Sequence, residues 1–178
     1  MKKMVIVMSV CILLGSIPAH SQSKSFSVGL VESVFANRDG ENKMSEIKNP
    51  AGTGLLVGYQ INKEVALGLT TEFYNQKMEN INGNEKGYRA HISFIAFPLT
   101  VKDMGMYVSA GVVYNHTEYT LENKIVNNNF YGRFGLGVNV CIVQNFALNF
   151  DGGLYHDCSR IQGWSGSAGF RYILPQVF

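Results

Sequence analysis

Four consecutive residues, His156-Asp157-Cys158-Ser159, contain the raw material of a hydrolase: an imidazole, a carboxylate and two potential nucleophiles. Neighbours along a strand or loop point in different directions, so four adjacent residues do not assemble a triad by themselves. The reading is a polar connection without catalysis. A metal site built from His91, His116, His156 or Cys158 lacks the spacing that holds an ion, and His91 and His116 read as an interior and a rim residue. The glycines fall singly rather than in a phosphate-cradling loop, so no cofactor is expected. What remains is a set of ionic and amide side chains, Glu72, Arg89, His91, Arg133, Asn139, Asn149, Asp151 and Arg171, each alternating with apolar neighbours.

That alternation is strand patterning. In 65–74, Val65, Leu67, Leu69, Thr71 and Phe73 share one face, while Ala66, Gly68, Thr70, Glu72 and Tyr74 share the other. The same two-residue period places Tyr88, Ala90, Ile92 and Phe94 opposite Arg89, His91 and Ser93. It separates Phe134, Leu136 and Val138 from Arg133, Gly135, Gly137 and Asn139. Segments 146–155 and 164–174 repeat it, and 26–36, 53–61 and 106–117 carry it with less contrast. Eight strands result. Glu32 breaks the pattern, falling beside Phe26, Val28 and Leu30, which a bulge or a rim position would absorb.

The connections alternate as well. Links at 62–63, 102–105 and 144–145 are tight, whereas 37–50, 75–87, 118–129 and 156–163 are longer and polar. Long and short in turn is the signature of an up-and-down meander with two different ends. Its 178 residues suit one domain, 46% of them are apolar, and no apolar run is long enough for a membrane helix.

Residues 1–21 read as an export signal: Lys2 and Lys3, an apolar run to Leu14, then Ala19-His20-Ser21 for cleavage. Cys11 lies inside that run and lacks the small residue that a lipid-anchor site would need before it. Residues 22–178 then form the folded domain, with 13 basic and 13 acidic side chains. A neutral chain without a basic cluster is not built for nucleic acid.

An eight-stranded barrel has too narrow an interior for the large apolar face but room for glycines and polar groups. The apolar face therefore points outwards, and lipid rather than water should cover it. Aromatic residues support two interfacial girdles: Tyr59, Phe146 and Tyr172 near the short turns, and Phe73, Tyr88, Tyr114, Phe130 and Trp164 near the long loops.

With the export signal and eight strands, the terminal segment Phe170-Arg171-Tyr172-Ile173-Leu174-Pro175-Gln176-Val177-Phe178 resembles the small outer-membrane β-barrel family of OmpA and OmpX type. The resemblance implies an all-β, antiparallel, monomeric barrel in the bacterial outer membrane, with both termini in the periplasm. It implies that outer-membrane lipid surrounds the barrel, and that Phe170, Tyr172 and Phe178 form the signal read by the barrel-assembly machinery. Pro175 departs from an uninterrupted last strand. Some small barrels of this kind modify lipid A with rim residues, but neither of their patterns occurs here.

Unpaired interior charges would be costly. Counting heights from the short turns predicts two cross-strand ion pairs, Glu72–Arg89 and Asp151–Arg171, with Arg133 near one of the acids. Such a network reads as a polar plug, with a narrow path for ions or small solutes as the alternative. Cys141 and Cys158 belong near opposite ends, too far apart for a disulfide. The first long loop, with Arg38, Asp39, Glu41, Lys43, Glu46 and Lys48, is where an extracellular ligand would be met.

Overall fold

A computed structural model of the chain describes residues 24–37, 51–77, 83–101, 103–120 and 124–174. Residues 1–23, 38–50 and 175–178 lie outside that set, and with them the expected export signal, the charged segment from Arg38 to Lys48, Pro175 and Phe178. Alternating residues form strand throughout: β1 (Ser25–Asn37), β2 (Ala51–Gln60), β3 (Val65–Lys77), β4 (Asn84–Val101), β5 (Met104–Thr120), β6 (Lys124–Val143), β7 (Phe146–His156) and β8 (Ile161–Ile173). Each strand pairs antiparallel with the next, and β1 pairs with β8, closing the barrel. Closure satisfies the backbone ladders without leaving an edge inside the ring.

The pairing fixes the geometry. A line of directly opposite partners runs from Glu32 through Thr53, Phe73 and Tyr88 to His116 on β5. In the other direction it passes Ala168, Phe150 and Val138 and returns to β5 at Met106. One circuit therefore shifts the register by ten residues, from Met106 to His116. With eight strands this shear gives a tilt of about 40° and a radius of about 8 Å. Each residue then climbs about 2.5 Å along the axis.

The two faces are sorted as the alternation predicts. Leu136, Ile92 and Phe134 are 68%, 65% and 61% exposed, whereas Arg89, Glu72 and Arg133 are 3%, 4% and 4% exposed. This inverts the distribution of a water-soluble protein. Phe26 packs on Tyr59 (4.7 Å) and Phe146 on Tyr172 (5.0 Å) near the short turns. At the other end Phe73, Tyr88, Tyr114 and Phe130 form a chain of ring contacts at 5.0–6.4 Å.

Two expectations need correction. The segments 75–87 and 118–129 are not mainly loop: β3 and β4 stay paired up to Lys77 and Asn84, and β5 and β6 up to Thr120 and Lys124. Residues of low strand propensity, such as Asn127 to Asn129, are held extended by a partner strand that is itself long. Glu32 sits neither in a bulge nor at the rim. Its pairing with Thr53 and Ala168 is regular, and its side chain is exposed on the outer, apolar face.

Candidate functional site

The lumen is organised in two layers. Nearer the long loops, Phe35 of β1 is buried against Tyr74 of β3 at 5.3 Å, edge to face. The Arg89 guanidinium of β4 lies 3.6 Å from the centre of the Phe35 ring. Its Nη1 also donates to the Tyr155 hydroxyl of β7 at 3.2 Å. One cation thus bridges β1, β4 and β7 across the barrel, a cation–π contact made strong by exclusion from water. Tyr74 adds a 2.6 Å hydrogen bond to Thr117 of β5 and a 3.3 Å bond to Asn115. Side chains cross the bore at this level.

Nearer the short turns, Arg133 of β6 pairs with Asp151 of β7 through Nη2 and Oδ1. Arg133 Nη1 also donates to Ser109 Oγ at 3.2 Å. The Tyr107 hydroxyl donates to Asp151 Oδ2 at 3.0 Å and accepts from Asn149 Nδ2 at 2.9 Å. Asn149 also donates to Asn139 Oδ1 at 2.8 Å. Glycines create the space. A Cβ on Gly153 would stand 2.6 Å from the Arg133 guanidinium, and one on Gly137 would stand 2.2 Å from the Tyr107 ring.

All eight polar residues singled out from the sequence point inwards, but they combine differently from expectation. Glu72 and Arg89 are direct cross-strand partners, yet no ion pair forms between them. Arg89 turns to Phe35 and Tyr155, and Glu72 Oε2 has no hydrogen-bond partner. Asp151 does not pair with Arg171. Its partner on β8 is Ser167, and Arg171 stands opposite Ala147, four residues further along. Arg133 takes the acid instead. His91 lies inside with Nδ1 unpartnered. Phe170 and Tyr172 lie on the outward face of β8.

Phe35 and Tyr107 were absent from the sequence-derived set. Their positions in the period-two count were the available signal, because both share a parity with the polar face of their strands.

The four-residue motif is a turn. Asp157 Oδ1 accepts hydrogen bonds from the Ser159 hydroxyl (2.6 Å) and backbone N–H (3.1 Å) and from the Arg160 N–H (3.1 Å). The Gln162 amide reaches Asp157 Oδ2. Cys158 adopts φ 71°, the left-handed geometry this tight link requires. His156 turns away and stacks on Phe134, with ring centres 5.3 Å apart. Cys141 and Cys158 are both free and exposed. Among the described residues, no cluster of three or more His, Cys, Asp or Glu could hold a metal.

Above the outer aromatic ring the surface turns polar. Lys86 meets Glu118 at 3.3 Å, Glu118 meets His116 at 3.6 Å, and His116 Nδ1 lies 2.7 Å from Asn128. This cross-strand ladder ties the tips of β4, β5 and β6 into a projecting sheet. Pairing between β6 and β7 stops at Gly132–His156, so residues 124–131 have β5 on one side and no strand among the described residues on the other.

Residues 19–153 match the OmpA-like transmembrane domain. The N-terminal β-barrel domain of Pseudomonas aeruginosa OprF superposes with a TM-score of 0.63 at 15% identity, over 85% of this chain and 100% of that one. Neisserial surface protein A gives 0.62 at 15% identity, over 86% and 99%. Ail, the attachment invasion locus protein of Yersinia pestis, in complex with the heparin analogue sucrose octasulfate, gives 0.58 at 14% identity, over 86% and 100%. No curated protein matches the sequence.

Proposed function

The chain belongs to the family of OmpA-like transmembrane domains and resides in the bacterial outer membrane, and we propose that it is a non-catalytic, closed barrel whose work is surface interaction. The observation that carries this reading is the projecting edge of β6. Residues 124–129, beyond the ring residue Phe130, have no strand partner among the described residues on the side away from β5, with Ile125 and Val126 38% and 43% exposed beside them. Such an edge can add an extended peptide as a further strand, backbone bonds supplying affinity and alternate side chains specificity. The partner proposed is therefore an extended polypeptide segment outside the cell. The same reading has the barrel act as a monomer, held by outer-membrane lipid and inserted by the assembly machinery.

The lumen supports the structural side of the proposal. The layer of Phe35, Tyr74, Arg89 and Tyr155 crosses the bore, which disfavours the alternative of a narrow pore. The hydrolase alternative loses its residues to the turn at Asp157 and the stack on Phe134.

Panning a random-peptide display library on the barrel in nanodiscs, with empty nanodiscs subtracted, tests the edge. Enriched peptides should bind the wild type and lose ten-fold or more on Val126→Lys, which places a blocking charge on the edge. Peptides that bind both forms equally, or no enrichment, would refute it. Steady conductance in planar bilayers would favour the pore instead.

A further inference from the structure

Below the aromatic layer lies a cavity of about 470 Å³, reaching the short-turn end through Gln60, Lys63 and Asp103. Its charged lining comprises Lys63, Arg133 and Arg171 against Asp103 and Asp151, an excess of one cation. The acids do not serve the cations equally. Asp151 is occupied by Arg133 and Tyr107, and Lys63 and Asp103 sit exposed at the turns.

Arg171 is the member left over. Its cross-strand partners are Gly29 and Ala147, neither with a polar side chain, and its buried Nε finds no acceptor among the described residues. A buried guanidinium without a counter-charge is expensive. Further polar groups line the same cavity: the hydroxyls of Ser27, Ser93 and Ser167, that of Ser109, which accepts from Arg133, and His91 with its unpartnered Nδ1. A planar guanidinium fork without a protein acceptor among the described residues, facing a cavity that also carries hydroxyls, is the chemistry that recognises an oxyanion.

We propose that this cavity is a binding site for a small oxyanion, of the phosphate or carboxylate class, which enters from the short-turn end and pairs with Arg171. The upper layer of Phe35, Arg89 and Tyr155 makes the site a blind vestibule, so it holds its ligand rather than passing it through. With the short turns on the periplasmic side, as the resemblance implies, the periplasm is the source. This inference is independent of the β6 edge, because the two lie at opposite ends.

The test is a titration of the full barrel, refolded in a phosphate-free detergent, with inorganic phosphate at constant ionic strength, chloride serving as the reference salt. The side-chain Nε–H signal of Arg171 should shift saturably with phosphate, and acetate should compete. Arg171→Gln should weaken the apparent affinity ten-fold or more while leaving the heat-dependent gel migration of the folded barrel unchanged. Arg171→Lys, which keeps the charge, should retain part of the binding and covers the case in which the Gln variant fails to fold. A response to phosphate equal to that of chloride, or equal affinity in the wild type and Arg171→Gln, would overturn the proposal. Saturation seen only with phosphate-bearing lipid added would assign the site to a headgroup rather than a free anion.

Discussion

Replacing Glu32 with leucine should make the barrel more stable in a bilayer. Glu32 lies on the outward face of β1, and its register with Thr53 and Ala168 leaves no bulge that could turn it inwards. Phe26, at the inner aromatic ring, is six residues further down the strand, or about 15 Å along the axis at this tilt. Trp164 pairs with Ala36, four residues up, and lies about 7 Å above Glu32 once the slope of the pairing line is included. The carboxyl group thus sits well inside the apolar band. A basic residue at the midplane of such a face costs about 2–4 kcal/mol and an acid less, so Glu32→Leu should add about 1–2 kcal/mol. Reversible urea unfolding in liposomes measures this directly, with Glu32→Gln expected to give part of the gain. Ser33→Leu, one residue away but facing the lumen, should destabilise the barrel. If Glu32→Leu were neutral or harmful while Ser33→Leu were tolerated, the assignment of faces in β1 would be wrong.

Other consequences can be checked with single substitutions. Asp151→Asn leaves Arg133 buried without its counter-ion and should cost about 3 kcal/mol in the same unfolding assay. Gly153→Val should act in the same direction, because its side chain would occupy the space of the Arg133 guanidinium. At the 157–160 turn, hydrogen bonds from the Ser159 hydroxyl and backbone, then from Arg160 and Gln162, hold the Asp157 carboxyl below the usual carboxylate range. With the folded value depressed, the turn's extra stability is complete above the ordinary aspartate pKa and fades as pH falls through the folded one. Ser159→Ala should move the Asp157 titration, followed by carboxyl ¹³C NMR, back towards the ordinary value. An unchanged titration would contradict the hydrogen-bond assignment.

The strands and their faces were legible because a two-residue period needs no tertiary information: Leu67, Leu69 and Phe73 against Thr70 and Glu72 already declare two environments. The register of Glu72 opposite Arg89 was legible too. What side chains do inside a barrel of about 8 Å backbone radius was not, since reach depends on the small residues around each long one. Arg133 meets Asp151 because Gly135 and Gly153 leave it room, and Arg89 prefers the ring of Phe35 to the facing acid. Counting charges alone passed over Phe35 and Tyr107, aromatic residues on a face read as polar. The projecting sheet was hidden because Asn127 to Asn129 owe their extended form to pairing with β5 rather than to their own preferences.

A nitroxide scan of residues 65–74 in liposomes tests the central assignment most directly. Collision with dissolved oxygen, which concentrates in the bilayer, should peak at Val65, Leu67, Leu69, Thr71 and Phe73 and drop at Ala66, Gly68, Thr70, Glu72 and Tyr74. The same alternation with the two sets exchanged, or no two-residue period at all, would contradict a barrel whose apolar face meets lipid and whose charges line the bore.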